Sequence, residues 1–430
     1  MTSANTADRT ITANPLRRMM NFLRPARLDI AATAQMNLKN HRDLSGQDIM
    51  TLSTQDWLDL WTRKQRFVLQ FARQGNRVIY VETQFHWLSY IKQLKKHWRR
   101  IYLFLYGPRK VEENLYVYTP PLLLPAFQIF PSLATINNFA LAFFLKRAMR
   151  RVGMRNPVLW CYTHFNKPLI KKLGCKRALY ECVDDYAGSK GLIKAEVVRK
   201  QEAQTLKSVN AAIVTADGLK PPLVKHNRNV HTVSNAANVS HFNRAVTEKF
   251  TEPDDLKQVP RPRLVFLGTT AYWVDLDLLE YVATVRPSWQ ILLIGPVTVD
   301  VSRFDDIRNF HCLGRKSYDD LPGYMAYCDV ALNPYVVDDV ARGCSPLKLY
   351  EYLAAGMPVV STEMPEARKF ERIVAVATSY EQYVAEIDRI LARDAQTRTN
   401  YQLMALEESR QHSWENRFLQ VEKIAMEALK

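Results

Sequence analysis

The sequence predicts two α/β domains in tandem, on three observations. Short apolar, β-branched runs alternate with helix-length amphipathic stretches through residues 48–216. The same alternation restarts at Arg263, after a polar segment (249–262) that holds three prolines. Near the end of the second series stands SPLKLYEYLAAGMPVVST (345–362), a helix, a tight turn and a strand in one compact unit.

In chain order, DIMTLS (48–53) reads as a strand, WLDLWTRKQRFVLQFARQG (57–75) as a helix closed by Gly75, and NRVIYVET (76–83) as a second strand, which makes a βαβ unit. Trp57 and Trp61, four residues apart, fit a packed helix face. NPVLWCYT (156–163), RALYECVDD (177–185) and NAAIVTA (210–216) continue the strand series. After the proline-bearing segment come RLVFLGTT (263–270), a helix through LDLLEYVATV (276–285), WQILLIGP (289–296), a strand at FHCLG (310–314), a helix through DDLPGYMAYC (319–328) and DVALNPY (329–335). In 345–362, Ser345 fits the N-cap and Pro346 the first helical position, where its missing N–H costs nothing; Gly356 and Pro358 mark the stop. The free N–H groups at that helix start, with Lys348 beside them, suit an anion such as phosphate.

Composition is that of a globular protein, 47% hydrophobic and 24% charged, and 430 residues suffice for two or three full cores. The 59 basic against 43 acidic residues give a net charge of +16, which favours an anionic partner: nucleic acid, a membrane surface or a phosphorylated substrate. No nucleic-acid-binding motif or concentrated basic tract is present, so nucleic acid is not expected as a partner. Six cysteines without CxxC spacing argue against a zinc site or disulfide framework, and no metal is expected. The N-terminal residues lack the apolar core and cleavage site of a secretory signal, so a cytoplasmic location is expected. The apolar stretch 121–151 is interrupted by polar residues and falls short of a membrane span; with Lys146, Arg147, Arg150 and Arg151 at its end it reads as an interfacial helix on anionic lipid.

Two rival nucleotide-binding classes lack their signatures. There is no GxG for a dinucleotide fingerprint and no GxxxxGK[ST] phosphate loop. Instead, LVFLGTTAYWVDLDLLEYV, ILLIGP, FHCLGRKSYDDLPGYMAYCDVALNPY and SPLKLYEYLAAGMPVVST, in that order over 264–362, resemble the nucleotide-binding domain of the two-domain, B-fold glycosyltransferases of polysaccharide biosynthesis (group 1, family four-like). NRVIYVET, PVLWCYT, YECVDDYAG and VSNAANVSHF resemble that fold's first domain more loosely, and HSWENRFLQVEKIAMEALK resembles its terminal helix, which crosses back onto the first domain. The resemblance implies a basic extension (1–45), an acceptor-binding Rossmann-like domain (46–248), a linker (249–262), a nucleotide-sugar-binding Rossmann-like domain (263–408) and a crossover helix (409–430), with the cleft between the domains as the site.

It further implies that Lys348 supports the diphosphate of a nucleotide-sugar donor and that Glu351 accepts from the ribose hydroxyls, with no cofactor beyond the donor substrate. The other donor-side candidates are read from the residues themselves: Gly268, which lets backbone approach the ligand, Asn333 at a strand end, Arg342 as a replacement cation just before the helix, and Ser345 and Leu347 at the helix start. The sequence departs from the retaining branch of the family in two places. Gly343 stands where a second glutamate is common, and the loop after Gly268 (TTAYWVD) has neither arginine nor lysine. An inverting transfer needs a base for the acceptor hydroxyl, and Asp184 or Asp185, at the end of YECVDD, is the first choice, with His164 next. The expected function is transfer of a sugar from a nucleoside diphosphate donor to a polysaccharide or lipid-linked saccharide at the cytosolic membrane face. A nucleotide-sugar 2-epimerase and a non-catalytic binding relative share the fold and stand as alternatives.

Overall fold

A computed structural model describes residues 38, 43–85, 94–125, 130–188 and 194–430. The first 37 residues, which include the basic part of the expected extension, lie outside the described residues. Two sheets organise the rest. The first contains β1 (Asp48–Leu52), β2 (Arg77–Val81), β3 (Arg109–Glu112), β4 (Leu115–Tyr118), β5 (Val158–Cys161), β6 (Ala178–Cys182), β7 (Ala211–Val214) and β8 (Val230–Thr232), in the order β3-β4-β2-β1-β5-β6-β7-β8. All neighbours are parallel except β3 and β4, an antiparallel hairpin at the edge. The second contains β9 (Arg263–Leu267), β10 (Gln290–Ile294), β11 (Phe310–Gly314), β12 (Val330–Asn333), β13 (Val359–Thr362) and β14 (Val374–Ala377), all parallel, in the order β11-β10-β9-β12-β13-β14. Each order reverses direction beside its own first strand, β1 next to β5 and β9 next to β12. An α/β sheet opens its ligand crevice at such a point.

The strands are the apolar runs read from the sequence, because a strand covered on both faces by helices must be apolar throughout. β1, β6, β7, β9, β10, β12 and β13 are buried along almost their whole length. The helix after β1 is a correction. It spans Arg63–Arg73 and not residues 57–75, because Thr62 and Gln65 form a reciprocal capping box that fixes its start. The preceding residues are drawn off elsewhere: the Trp57 N–H donates to Glu82 Oε1 at 3.1 Å, and the Trp57 ring packs edge-on against Trp61 (5.0 Å) and Tyr80 (5.2 Å). In the stretch 121–151, the helix spans Pro131–Arg151 and ends in the basic residues expected. The helix Leu94–Tyr106 and the β3–β4 hairpin are additions to the sequence reading.

Four cores hold the molecule, one on each side of each sheet. The helix Val239–Thr247, which precedes the proline-bearing segment, packs in the second domain: Phe242 is fully buried with Tyr352 and Leu353. The segment 249–262 is anchored as well. Leu256 and Val259 are buried, and the Arg263 guanidinium donates to the carbonyls of both and pairs with Glu252 at 2.6 Å. The helix Ala395–Gln411 lies on the second domain, and Trp414–Ala428 crosses back to the first. There Trp414, Phe418, Val421 and Ala425 are buried with Phe67, and Phe71 meets Phe418 at 4.8 Å.

Candidate functional site

The strand ends at the two reversal points face each other across a cavity of about 480 Å³, a size that suits a small-molecule ligand. The second domain contributes Gly268, Thr269, Tyr272 and Trp273 after β9, Tyr335 and Val336 after β12, and Ser345–Lys348 at the start of the helix Leu347–Ala354. The first domain contributes Gln55, Thr62, Arg63 and Lys64 after β1, and Val183–Tyr186 after β6. Asn235, on the connection between the domains, lines it too.

The corner of the cleft formed by the second domain is built around one glycine. Gly268 has φ +142°, and a Cβ placed there would lie 2.7 Å from Cε of Lys348. Only glycine both adopts this backbone and lets the lysine stem run across it. Lys348 Nζ reaches 3.3 Å from Glu351 Oε2, one turn along the helix, with both side chains mostly buried. The helix ends in a Schellman turn: the Gly356 and Met357 N–H groups donate to the carbonyls of Leu353 and Tyr352, with Gly356 at φ +66°. Its start corrects the sequence reading. Pro346 is the N-cap, with ψ 122°, so the helix begins at Leu347 and Ser345 makes no cap. Ser345 Oγ instead accepts the Asn235 N–H at 3.1 Å and shares a hydrogen bond with Tyr350 Oη at 3.1 Å, while Asn235 Nδ2 donates to the Ser345 carbonyl at 2.7 Å. These bonds tie the helix start to the interdomain connection. Leu347 packs against the core of the first domain while lining the cleft.

On the facing wall the two adjacent aspartates have different fates. Asp185 Oδ1 accepts the N–H groups of Ala187 (3.0 Å) and Gly188 (2.9 Å), so this carboxylate shapes its loop. Asp184 stands in the open part of the cleft, within reach of water yet walled by both domains. That enclosure raises its carboxyl above the ordinary aspartate range, and the nearby Lys64 opposes the shift. Lys64 is 7% exposed, and its Nζ donates to Thr54 Oγ1 at 2.6 Å. Burial pushes its ammonium down to about 8, against the pull of Asp184 and Glu181. Arg63 pairs with Glu181 at 2.5 Å and donates through Nη1 to the Val233 carbonyl at 2.8 Å, while its buried Nη2 has no hydrogen-bond partner among the described residues.

Four expected site residues, His164, Asn333, Arg342 and Glu351, fall outside the lining. His164 is buried with its ring edge-on to Phe165 (5.0 Å) and tilted over Tyr186 (5.5 Å); burial pushes it down to about 4. Asn333 is fully buried, and its Nδ2 donates to Ser361 Oγ at 2.8 Å, tying β12 to β13. Arg342 turns outward and pairs with Asp339 at 2.5 Å, with both side chains exposed. Glu351 is taken up by Lys348, behind the first turn of the helix. Gly343 has a reason of its own, since a Cβ there would lie 2.8 Å from Leu219 Cδ2 and 3.5 Å from Asp185 Cβ. A side chain at this position would press on the buried Leu219 of the first domain. Among the described residues no group of three or more His, Cys, Asp or Glu side chains is placed to hold a metal ion.

Sequence reasoning missed Lys64. The signal was two cations, Arg63 and Lys64, in the first turn of a helix, where the helix dipole disfavours them. The expected helix start at residue 57 placed them in a later turn.

Residues 261–393 match the family of group 1 glycosyl transferases. Over these residues the second domain is similar to the group 1 glycosyl transferases. The match covers β9 through the helix Tyr380–Leu391, and so includes Gly268, Lys348 and Glu351. A protein of Bacillus subtilis (strain 168) that carries the name of a teichuronic acid biosynthesis glycosyltransferase, TuaH, is 27% identical over 230 residues. That alignment covers 50% of this chain and 57% of the relative. Sucrose-phosphate synthase from Thermosynechococcus elongatus superposes with a TM-score of 0.64 at 13% identity, over 89% of this chain and 99% of that one. Anabaena HepE, solved in complex with UDP, superposes with a TM-score of 0.59 at 11% identity, over 89% of this chain and all of the other. At these identities the solved structures establish the fold alone: the matched domain is the second half of a GT-B architecture, two α/β domains facing a cleft.

Proposed function

We propose that this chain transfers a sugar from a uridine or guanosine diphosphate donor to a growing polysaccharide or lipid-linked saccharide at the cytosolic face of the membrane. The observation that carries this reading is the meeting of Lys348, laid across Gly268 at a helix start, and Asp184 in one cleft. The acceptor hydroxyl attacks the anomeric carbon as Asp184 takes its proton, and the bond from that carbon to the diphosphate oxygen breaks. Charge then grows on the leaving diphosphate, where the Lys348 ammonium and the helix N–H groups receive it. Glu351, one turn along the same helix, holds Lys348 through Oε2, and in this reading its other carboxylate oxygen accepts from the ribose hydroxyls. Attack from the face opposite the leaving group makes the transfer inverting. The name of the Bacillus relative and the UDP bound by the Anabaena structure are consistent with this donor and acceptor class.

Membrane contact is part of the proposal. The helices Leu94–Tyr106 and Pro131–Arg151 touch through Phe104 and Phe144 at 4.8 Å. Together they expose Trp98, Leu105, Tyr106, Phe139 and Phe143, beside the exposed Lys146, Arg147, Arg150 and Arg151. Aromatic and leucine side chains flanked by cations suit the boundary of an anionic bilayer. No described helix is long and apolar enough to cross one.

The test is incubation with a panel of nucleotide sugars and bacterial membranes, following which nucleoside diphosphate is released and whether sugar enters the acceptor fraction. Release of UDP or GDP that depends on acceptor is the expected result. A changed free nucleotide sugar formed without acceptor identifies a 2-epimerase instead, and binding without turnover a non-catalytic relative.

A further inference from the structure

We propose that Lys64, on the wall formed by the first domain, binds the donor's diphosphate from across the cleft, supplying the second cation that the loop after β9 does not. The inference rests on the donor reading above and adds a residue from the opposite domain to it.

Three cations line the cleft among the described residues, and two of them already have a carboxylate beside them. Arg63 is held by Glu181 and the Val233 carbonyl, and Lys348 by Glu351. Lys64 has the Thr54 hydroxyl and the face of Tyr162, 5.5 Å away, but no carboxylate within ion-pair distance among the described residues. A lysine that is 7% exposed and lacks a paired anion is costly to hold charged, so the position is one that an incoming anion relieves. The charges that face it are Asp184, Glu181 and Asp59, which favour its ammonium, and Arg63, which opposes it. Glu181 is already shared by Arg63 and by the Trp160 Nε1–H at 2.7 Å.

The donor wall has the complementary deficit. Residues 268–275 read GTTAYWVD, without lysine or arginine, so Lys348 is the cation this wall brings to the cleft. A nucleoside diphosphate carries more than one negative charge, and a single ammonium leaves part of it unneutralised. With Lys64 contributing from the other domain, the diphosphate itself joins the two walls.

Titration calorimetry with UDP and GDP decides this, on the wild type, Lys64→Met and Lys64→Arg. Lys64→Met is expected to weaken the nucleotide that binds by about tenfold or more, the loss of one charge-assisted contact, while Lys64→Arg retains most of the affinity. Because burial pushes Lys64 down to about 8, wild-type affinity is also expected to fall between pH 7 and pH 9, a range in which the phosphates are already ionised and the arginine variant keeps its charge. Should Lys64→Met fail to fold, the paired pH series of wild type and Lys64→Arg carries the test alone. Affinity within twofold of wild type in Lys64→Met, or matching pH profiles in wild type and Lys64→Arg, each overturns the assignment. Absence of binding by the wild type to either nucleotide removes the donor reading and this inference with it; binding that Lys64→Met leaves unaltered removes only Lys64.

Discussion

Asp184 and Asp185 are neighbours in sequence with different surroundings, and the difference sorts their roles. Asp185 spends its carboxylate on two backbone N–H groups, whereas Asp184 meets the cleft with its carboxyl raised by enclosure. Asp184→Asn is therefore expected to lower the transfer rate by about two to four orders of magnitude, the range for a lost general base, with nucleotide affinity nearly unchanged. Asp185→Asn keeps an amide oxygen for the same two N–H groups and is expected to stay within about threefold of wild type. Comparing single-turnover rates of the two variants checks the assignment, and equal rates would refute it. The pair itself was legible in YECVDD, since acids collect where a strand gives way to a loop. Which of the two is left facing the cleft was not legible, because it depends on how the chain folds back at Ala187 and Gly188. His164 illustrates the same limit: its sequence neighbourhood suits a cleft, but its ring packs between Phe165 and Tyr186.

Among the elements, strands were the most legible, because sheets covered on both sides demand unbroken apolar runs and this chain supplies them. Helix starts were less so. Trp57 and Trp61 imitate a helical i, i+4 pair, and the competing signal, Thr62 followed by Gln65, set the true boundary. Ser345 had the composition of an N-cap but was taken by Asn235 from far along the chain, a contact that local pattern cannot contain. The helix Leu94–Tyr106 came to light only in the fold, and it widens the surface formed by Pro131–Arg151. These two helices are expected to bind anionic vesicles reversibly, each exposed cation near the bilayer contributing about 1 kcal/mol. Cosedimentation should show binding to anionic but not neutral vesicles, release by salt, and a marked loss in a Trp98→Ala, Phe139→Ala double variant. Equal binding to both vesicle types, or to neither, contradicts this surface.

For the whole molecule, function follows from where the two sheets reverse direction. Loops from β1 and β6 meet loops from β9 and β12, and the walls are held in register by Asn235 and by Lys369, which pairs with Asp217 of the first domain at 2.9 Å and Glu366 of the second at 2.8 Å. The crossover helix Trp414–Ala428 adds an apolar tie. The same close approach is seen at Gly343, where a side chain would press on Leu219. The central claim is that the cleft binds a nucleoside diphosphate at Lys348. Calorimetry of wild type and Lys348→Ala with UDP and GDP tests it most directly, with the unfolding midpoint as a control for folding. The account expects one nucleotide to bind the wild type and Lys348→Ala to bind it about tenfold to a hundredfold more weakly, the equivalent of about 1.5 to 3 kcal/mol for a hydrogen bond to a charged group. Equal affinity in a folded variant, or no binding of either nucleotide to the wild type, would contradict it.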